Sequence, residues 1–181
     1  MTSTPPDDNV ADLNFQSFAA YAHRRTSELA GDVDLEAALL VLTLHRAAST
    51  VVYDLESSVH RPAGWSWSGF RLLYVLWVAG PLEARHAARL SGMSRQNTST
   101  LSNTLERQGL LTRSPAPDDG RLITYALTPE GTQRVHEAYR AHNEREGMWA
   151  QVLTPGERAG VISALGKLLA AADDLDVRRR D

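Results

Sequence analysis

The stretch Leu110-Leu-Thr-Arg-Ser-Pro-Ala-Pro-Asp-Asp-Gly-Arg-Leu-Ile-Thr-Tyr-Ala-Leu-Thr128 decides the fold of this chain. It reads as two short strands joined by a turn-rich loop. Leu110, Leu111, Thr112 and Arg113 run from apolar to polar. Pro115, Pro117, Asp118, Asp119 and Gly120 each fix or permit a tight backbone bend. Residues 122–127 alternate weakly and hold the strand formers Ile123, Thr124 and Tyr125 in succession. One cation, Arg121, sits beside the tip, and Gly109 ends a polar helix just before the hairpin.

Upstream, the pattern predicts a short helix over 83–90, a tight Ser91-Gly92-Met93 turn and a helix over 94–108. Gly92 allows the sharp bend that two helices meeting at an angle require. Ala87, Leu90, Leu101 and Leu105 are expected to face inward. The open face of the second helix then carries Arg95, Gln96, Asn97, Ser99, Thr100, Asn103 and Thr104. A merely solvated helix would be richer in Glu, Lys and Ala, the better helix formers. This one is composed to touch something polar. Two helices at a tight turn, followed by a basic-tipped hairpin, make a winged helix-turn-helix, a module that usually binds DNA.

The net charge of −3 looks wrong for such a partner, but the charge is unevenly placed. Residues 85–121 contain six arginines (Arg85, Arg89, Arg95, Arg107, Arg113 and Arg121) against Glu106, Asp118 and Asp119. That segment is +3 and the remainder of the chain −6. Phosphate binding needs local positive potential, not a basic protein.

Residues 1–11 read as a disordered tail with Pro5-Pro6. Asn14 can cap a helix carrying Phe15, Phe18, Ala22 and Leu29, which Gly31 ends. Asp34 can cap a longer helix, with Leu35, Leu39, Leu42, Val52 and Leu55 expected to be buried and Pro62 and Gly64 closing it. Ser66 caps an apolar helix over Trp67–Ala79, stopped by Gly80-Pro81. Thr128-Pro129-Glu130 opens another long helix, with Pro at its first position. Thr154-Pro155-Gly156-Glu157 is a capping box for the last one. The organisation expected is therefore mainly α with a small β-wing. Helices over 12–60 and 128–175 form a dimerisation region, 61–127 the winged helix, and 176–181 a tail.

Apolar content of 43% supports a real core. The absence of cysteine excludes disulfides and thiolate metal sites. No His-Glu-x-x-His, phosphate-binding glycine loop or nucleophile elbow occurs, and no two of the six histidines stand four apart. The chain is therefore expected to use no metal or cofactor and not to be an enzyme. With neither a signal peptide nor an apolar run of bilayer length recognised, a cytoplasmic location without a membrane partner is expected.

The order of elements resembles the MarR family of bacterial transcriptional regulators over about residues 35–174. The family's wing pattern, Asp-x-Arg, five residues, then Leu-Thr, is matched by Asp119-Gly120-Arg121 and Leu127-Thr128. The run Leu105-Glu106-Arg107-Gln108-Gly109-Leu110 resembles the end of the family's recognition helix. The resemblance implies an obligate homodimer, a palindromic double-stranded operator and a small-molecule pocket between the two regions. It carries Arg121 over as the minor-groove finger, with Asp119 and Gly120 shaping the wing. Two positions depart from the family: Gly120 stands where a second Arg is common, and Thr100 and Thr104 where an Arg often stands. The helix over 14–30 is an addition that urate-responsive members share, but Arg71 follows Phe70 where they have Asp, and Leu101 replaces one of their arginines. Urate is rejected as the effector.

The residues expected to meet DNA are Ser94, Arg95, Gln96, Asn97, Ser99, Thr100, Asn103, Arg113 and Arg121. Gln96, Asn97 and Asn103 suit base edges, whereas Ser94, Arg95 and Thr100 suit phosphates. Candidate ligand residues are His45, Arg46, Tyr53, Trp65, Trp67, Phe70 and Arg71, whose aromatic walls and cations suit an aromatic or phenolic anion. The aromatic ones serve equally well as plain core. Two competing readings stay open: a protein-interaction module with a degraded winged helix, and a small helical enzyme.

Overall fold

The computed structural model describes residues 12–116 and 122–174. The chain divides into two compact units, Met1–Val52 and Tyr53–Asp181.

In the first unit, α1 (Phe15–Ala30) starts where the Asn14 side chain accepts the Ser17 N–H, and stops at Gly31, whose φ of 68° suits a residue without Cβ. Asp34 caps α2 (Leu35–Leu55) by accepting the Ala37 N–H at 2.9 Å. The helix crosses the boundary between the units at Val52. The expectation that Leu35, Leu39, Leu42, Val52 and Leu55 are all buried holds only for Leu55. Leu39, Leu40 and Val41 are exposed. Leu35–His60 holds an 18-residue stretch of mean hydropathy 1.4, which by length and composition alone is enough to cross a membrane. Glu36, Arg46, Asp54 and Glu56 interrupt Leu35–His60, so it is not an uninterrupted apolar run.

In the second unit, the end of α2 widens into a π-helical turn, Glu56–His60. Ser66 then caps α3 (Trp67–Ala79) by accepting the Gly69 N–H at 3.1 Å. Its Phe70, Leu72, Leu73 and Leu76 are the centre of the core. A two-residue strand, β1 (Leu82–Glu83), leads into α4 (Ala84–Ser91), and α5 (Arg95–Arg107) follows the turn at Gly92. Strands β2 (Leu111–Pro115) and β3 (Ile123–Leu127) pair antiparallel with Arg113 opposite Tyr125. β1 joins the outer edge of β3, giving the order β1-β3-β2. Thr128 starts α6 (Pro129–Ala150): its hydroxyl accepts the Gly131 N–H and donates to the Gly109 carbonyl at 2.7 Å. The capping box at Thr154 and Glu157 opens α7 (Pro155–Asp174), whose Val161, Ile162, Leu168 and Leu169 are exposed.

Leu90, expected inside, is 51% exposed. The inward stripe of α4 is Ala87, Ala88 and Ser91, with the Ser91 hydroxyl donating to the Ala87 carbonyl at 2.7 Å. Small side chains let α4 lie close to α3 and α5, and this turns Leu90 outward by one helical position.

Candidate nucleic-acid interface

The two faces of α5 separate by how each side chain satisfies its polar atoms. Ser94 caps the helix by accepting the Asn97 N–H at 3.2 Å. Thr98 and Ser102 are buried, and each donates its hydroxyl to the helix's own backbone, to Ser94 O and Ser99 O, both at 2.9 Å. That internal bonding lets small polar residues serve as core beside Leu105. Arg95, Gln96, Asn97, Thr100 and Asn103 stand exposed, with Ser94, Ser99 and Thr104 half-buried. Gln96, Thr100 and Asn103 recur at helical spacing and make one continuous stripe.

Arg107 extends the stripe by one more turn, and it was missing from the sequence-derived set. Its guanidinium donates to the Asn103 carbonyl at 3.3 Å and to the Thr104 hydroxyl at 3.2 Å. The signal was available in the spacing 96, 100, 103, 107. The one acid of α5, Glu106, turns to β2: its carboxylate accepts the Arg113 N–H at 3.2 Å and lies 4.0 Å from the Arg113 guanidinium. The same guanidinium sits 5.9 Å from the centre of the Tyr125 ring. Arg113 is thus half-buried and bound to its own neighbours. Asp119, Gly120 and Arg121 lie outside the described residues.

The candidate ligand residues fall in different surroundings. In the first unit, His45 and Arg46 join Leu13, Asn14, Phe18 and Leu42 around an open hollow of about 260 Å³. In the second unit, Tyr53 is exposed, while Trp65 and Phe70 are core and Trp67 packs on them. The Trp65 ring also carries the Arg134 guanidinium 5.2 Å from its centre. Arg71 is half-buried, and burial lowers its pKa. Its Nη2 lies so near the turn that a Cβ at Gly92 would stand 2.8 Å from it.

Sequence reasoning also missed His60 and His142. The His60 ring is wholly buried, stacked on Phe70 at 4.1 Å and 5.1 Å from the His142 ring. Neither nitrogen of His60 has a hydrogen-bond partner, and His142 meets Glu146 through Nε2 at 3.0 Å. Burial, and then the neighbouring His142, lower the His60 pKa to about 4. Eighty-two positions separate the two residues in sequence, so no local pattern could have paired them.

Comparisons with known proteins agree with this geometry. Residues 65–123, from the start of α3 into β3, match the family model described as MarR family. The chain is 32% identical over 143 residues to YwaE, an uncharacterised HTH-type transcriptional regulator of Bacillus subtilis, covering 79% of this chain and 82% of that one. Among solved structures, a mutant MarR from E. coli complexed with operator DNA is similar at a TM-score of 0.69 and 18% identity, covering 77% of this chain and 99% of that one. The PcaV regulator from Streptomyces coelicolor, in complex with its natural ligand, is similar at a TM-score of 0.64 and 22% identity, covering 78% and 99%. With its winged helix-turn-helix in place and a relative of this identity and coverage, the chain belongs to the MarR family of transcriptional regulators.

Proposed function

We propose that this protein is a homodimeric repressor that binds a palindromic double-stranded operator and is released by a small aromatic or phenolic ligand. The reading rests on the exposed stripe of α5. Gln96 and Asn103 offer amides able to bond adenine N6 and N7, and Arg95 and Ser94 stand at the helix start where a phosphate would lie. Two such helices related by a two-fold axis would enter successive major grooves one helical turn apart. Arg121 would reach the neighbouring minor groove, where narrow A·T tracts concentrate negative potential.

Dimerisation is supported by the apolar side chains that α2 and α7 leave exposed, including Leu40, Val41, Ile162 and Leu169. A symmetric interface would bury such surface twice over. The same need for a covering partner accounts for the apolar character of α2 without a membrane, in a protein that works on DNA in the cytoplasm. The hollow beside His45 and Arg46 suits a small anion with an apolar body, Phe18 and Leu42 supplying the apolar wall. Selection from a random duplex library with the full chain tests the reading. Enrichment of one palindrome supports it, and enrichment of none overturns it.

A further inference from the structure

Buried, unpaired imidazoles are rare, since each one forgoes hydrogen bonds that water would supply. His60 sits where the π-helical turn meets α3 and α6, and His142 reaches it from α6. We propose that the His60–His142 pair is an acid-operated latch within the DNA-binding unit: neutral, it seals the π-helical turn against α3 and α6; protonated, it opens that seal and weakens DNA binding. The inference rests on the DNA-binding reading for its second half only.

The surroundings explain why a proton on His60 cannot be accommodated. From α3 the pair meets Trp67 and Phe70, with Tyr74 beyond Phe70 and no acid among them. The one ion on that stretch of α3, Arg71, is a cation and lies against Gly92. From α6 it meets His142 itself, then Tyr139 at 6.1 Å from the His142 ring. The Glu146 carboxylate is already shared between His142 and Asn143, and Arg145 is held by Asp54. On the turn itself Glu56 is paired with Arg61. A cation on His60 would therefore face a second imidazole and aromatic rings, with no carboxylate free to meet it. The ordinary His pKa of 6.5 is lowered to about 4 by this burial. The sign follows. Above pH 6.5 His60 is neutral folded or unfolded, and nothing is lost; as pH falls from there toward 4, only the opened state gains the proton.

The test uses the full chain and a duplex that it binds at about pH 7.5. Tryptophan emission and circular dichroism are followed down to about pH 4, and affinity for the duplex is measured at fixed ionic strength. The expected result is a reversible emission change between about pH 6.5 and 4 with helix content kept, and about tenfold weaker DNA binding at pH 5. His60→Phe, which keeps an aromatic ring and cannot titrate, should flatten both. Should that variant misfold, the His60 C2 proton resonance of the unaltered chain must titrate well below 6.5. An unchanged midpoint in His60→Phe, flat emission in the unaltered chain, or ordinary titration of His60 overturns the latch. Failure to bind any duplex at pH 7.5 counts against the regulator reading, and the emission arm then decides the latch alone.

Discussion

Asp54 and Arg145 are joined by two parallel hydrogen bonds, Nε to Oδ2 at 2.7 Å and Nη2 to Oδ1 at 2.6 Å. The fork geometry of guanidinium and carboxylate makes this a specific lock between the end of α2 and the C-terminal part of α6. Trp149 adds its indole N–H to the same carboxylate at 2.7 Å. Arg145 first, and Trp149 next, lower the Asp54 pKa to about 2 from its ordinary 3.8. The stabilisation is thus complete above about pH 4 and disappears as pH falls toward 2. Asp54→Asn should lower the melting temperature at pH 7, alter Trp149 emission, and remove this part of the acid dependence. Thermal melts at pH 7 and near pH 2 check it; equal losses at both would contradict the assignment.

Gly131, in the first turn of α6, packs against the backbone just before β2. A Cβ there would lie 1.9 Å from the Leu110 carbonyl oxygen, a backbone atom that cannot swing away. Gly131→Ala should therefore push the start of α6 away from the Leu110 backbone and cost about 3 kcal/mol, the upper part of the range for overpacking. Gly156→Ala, at the start of α7 with open space around it, is the control and should be near neutral. Urea unfolding of both variants decides it, and equal stability would place the α6 start elsewhere.

The helix starts were legible because cap chemistry is local. Asn14, Ser66, Ser94, Thr128 and Thr154 each bond an amide three residues on, so the motif and its consequence lie within one turn of sequence. The wing was legible for the same reason. β1 was not, since two residues show no periodicity and Leu82 is a strand residue only because Tyr125 pairs with it. Hydrophobicity places Leu90 inside, whereas close helix packing favours small residues and turns Ser91 inward instead. Of the site, the polar stripe on α5 could be read from composition, while Arg113 could not: its engagement with Glu106 depends on how β2 leaves the helix.

Base reading and phosphate anchoring should separate cleanly along α5. Gln96→Ala and Asn103→Ala are each expected to relax preference at one base pair per half-site, worth about 1–3 kcal/mol of discrimination. Arg95→Ala and Arg121→Ala should weaken all sequences alike and reduce the salt slope by about one counterion per subunit. Arg113→Ala should act differently, lowering stability through Glu106 and Tyr125 while changing the salt slope little. Binding to a panel of operator variants at several salt concentrations distinguishes these outcomes. A uniform loss for Asn103→Ala would make it a backbone contact.

Ile162 and Leu169 lie seven positions apart on α7, two turns of one face, and both are about 70% exposed at 71% and 67%. In a single chain an aspartate at either position would cost little, since neither side chain is packed. In a dimer built on that face it would place a charge into an apolar contact, and an unpaired buried charge costs several kcal/mol. Ile162→Asp combined with Leu169→Asp should therefore leave helix content unchanged while halving the sedimenting mass at micromolar concentration. Operator binding should fall by far more than the twofold expected from counting half-sites, because one half-site forfeits the gain from linked binding. The opposite result, an unchanged mass with the double variant folded, would move the interface off α7. A stable monomer of the unaltered chain that still bound a full palindrome tightly would go further and remove the paired-groove mechanism itself.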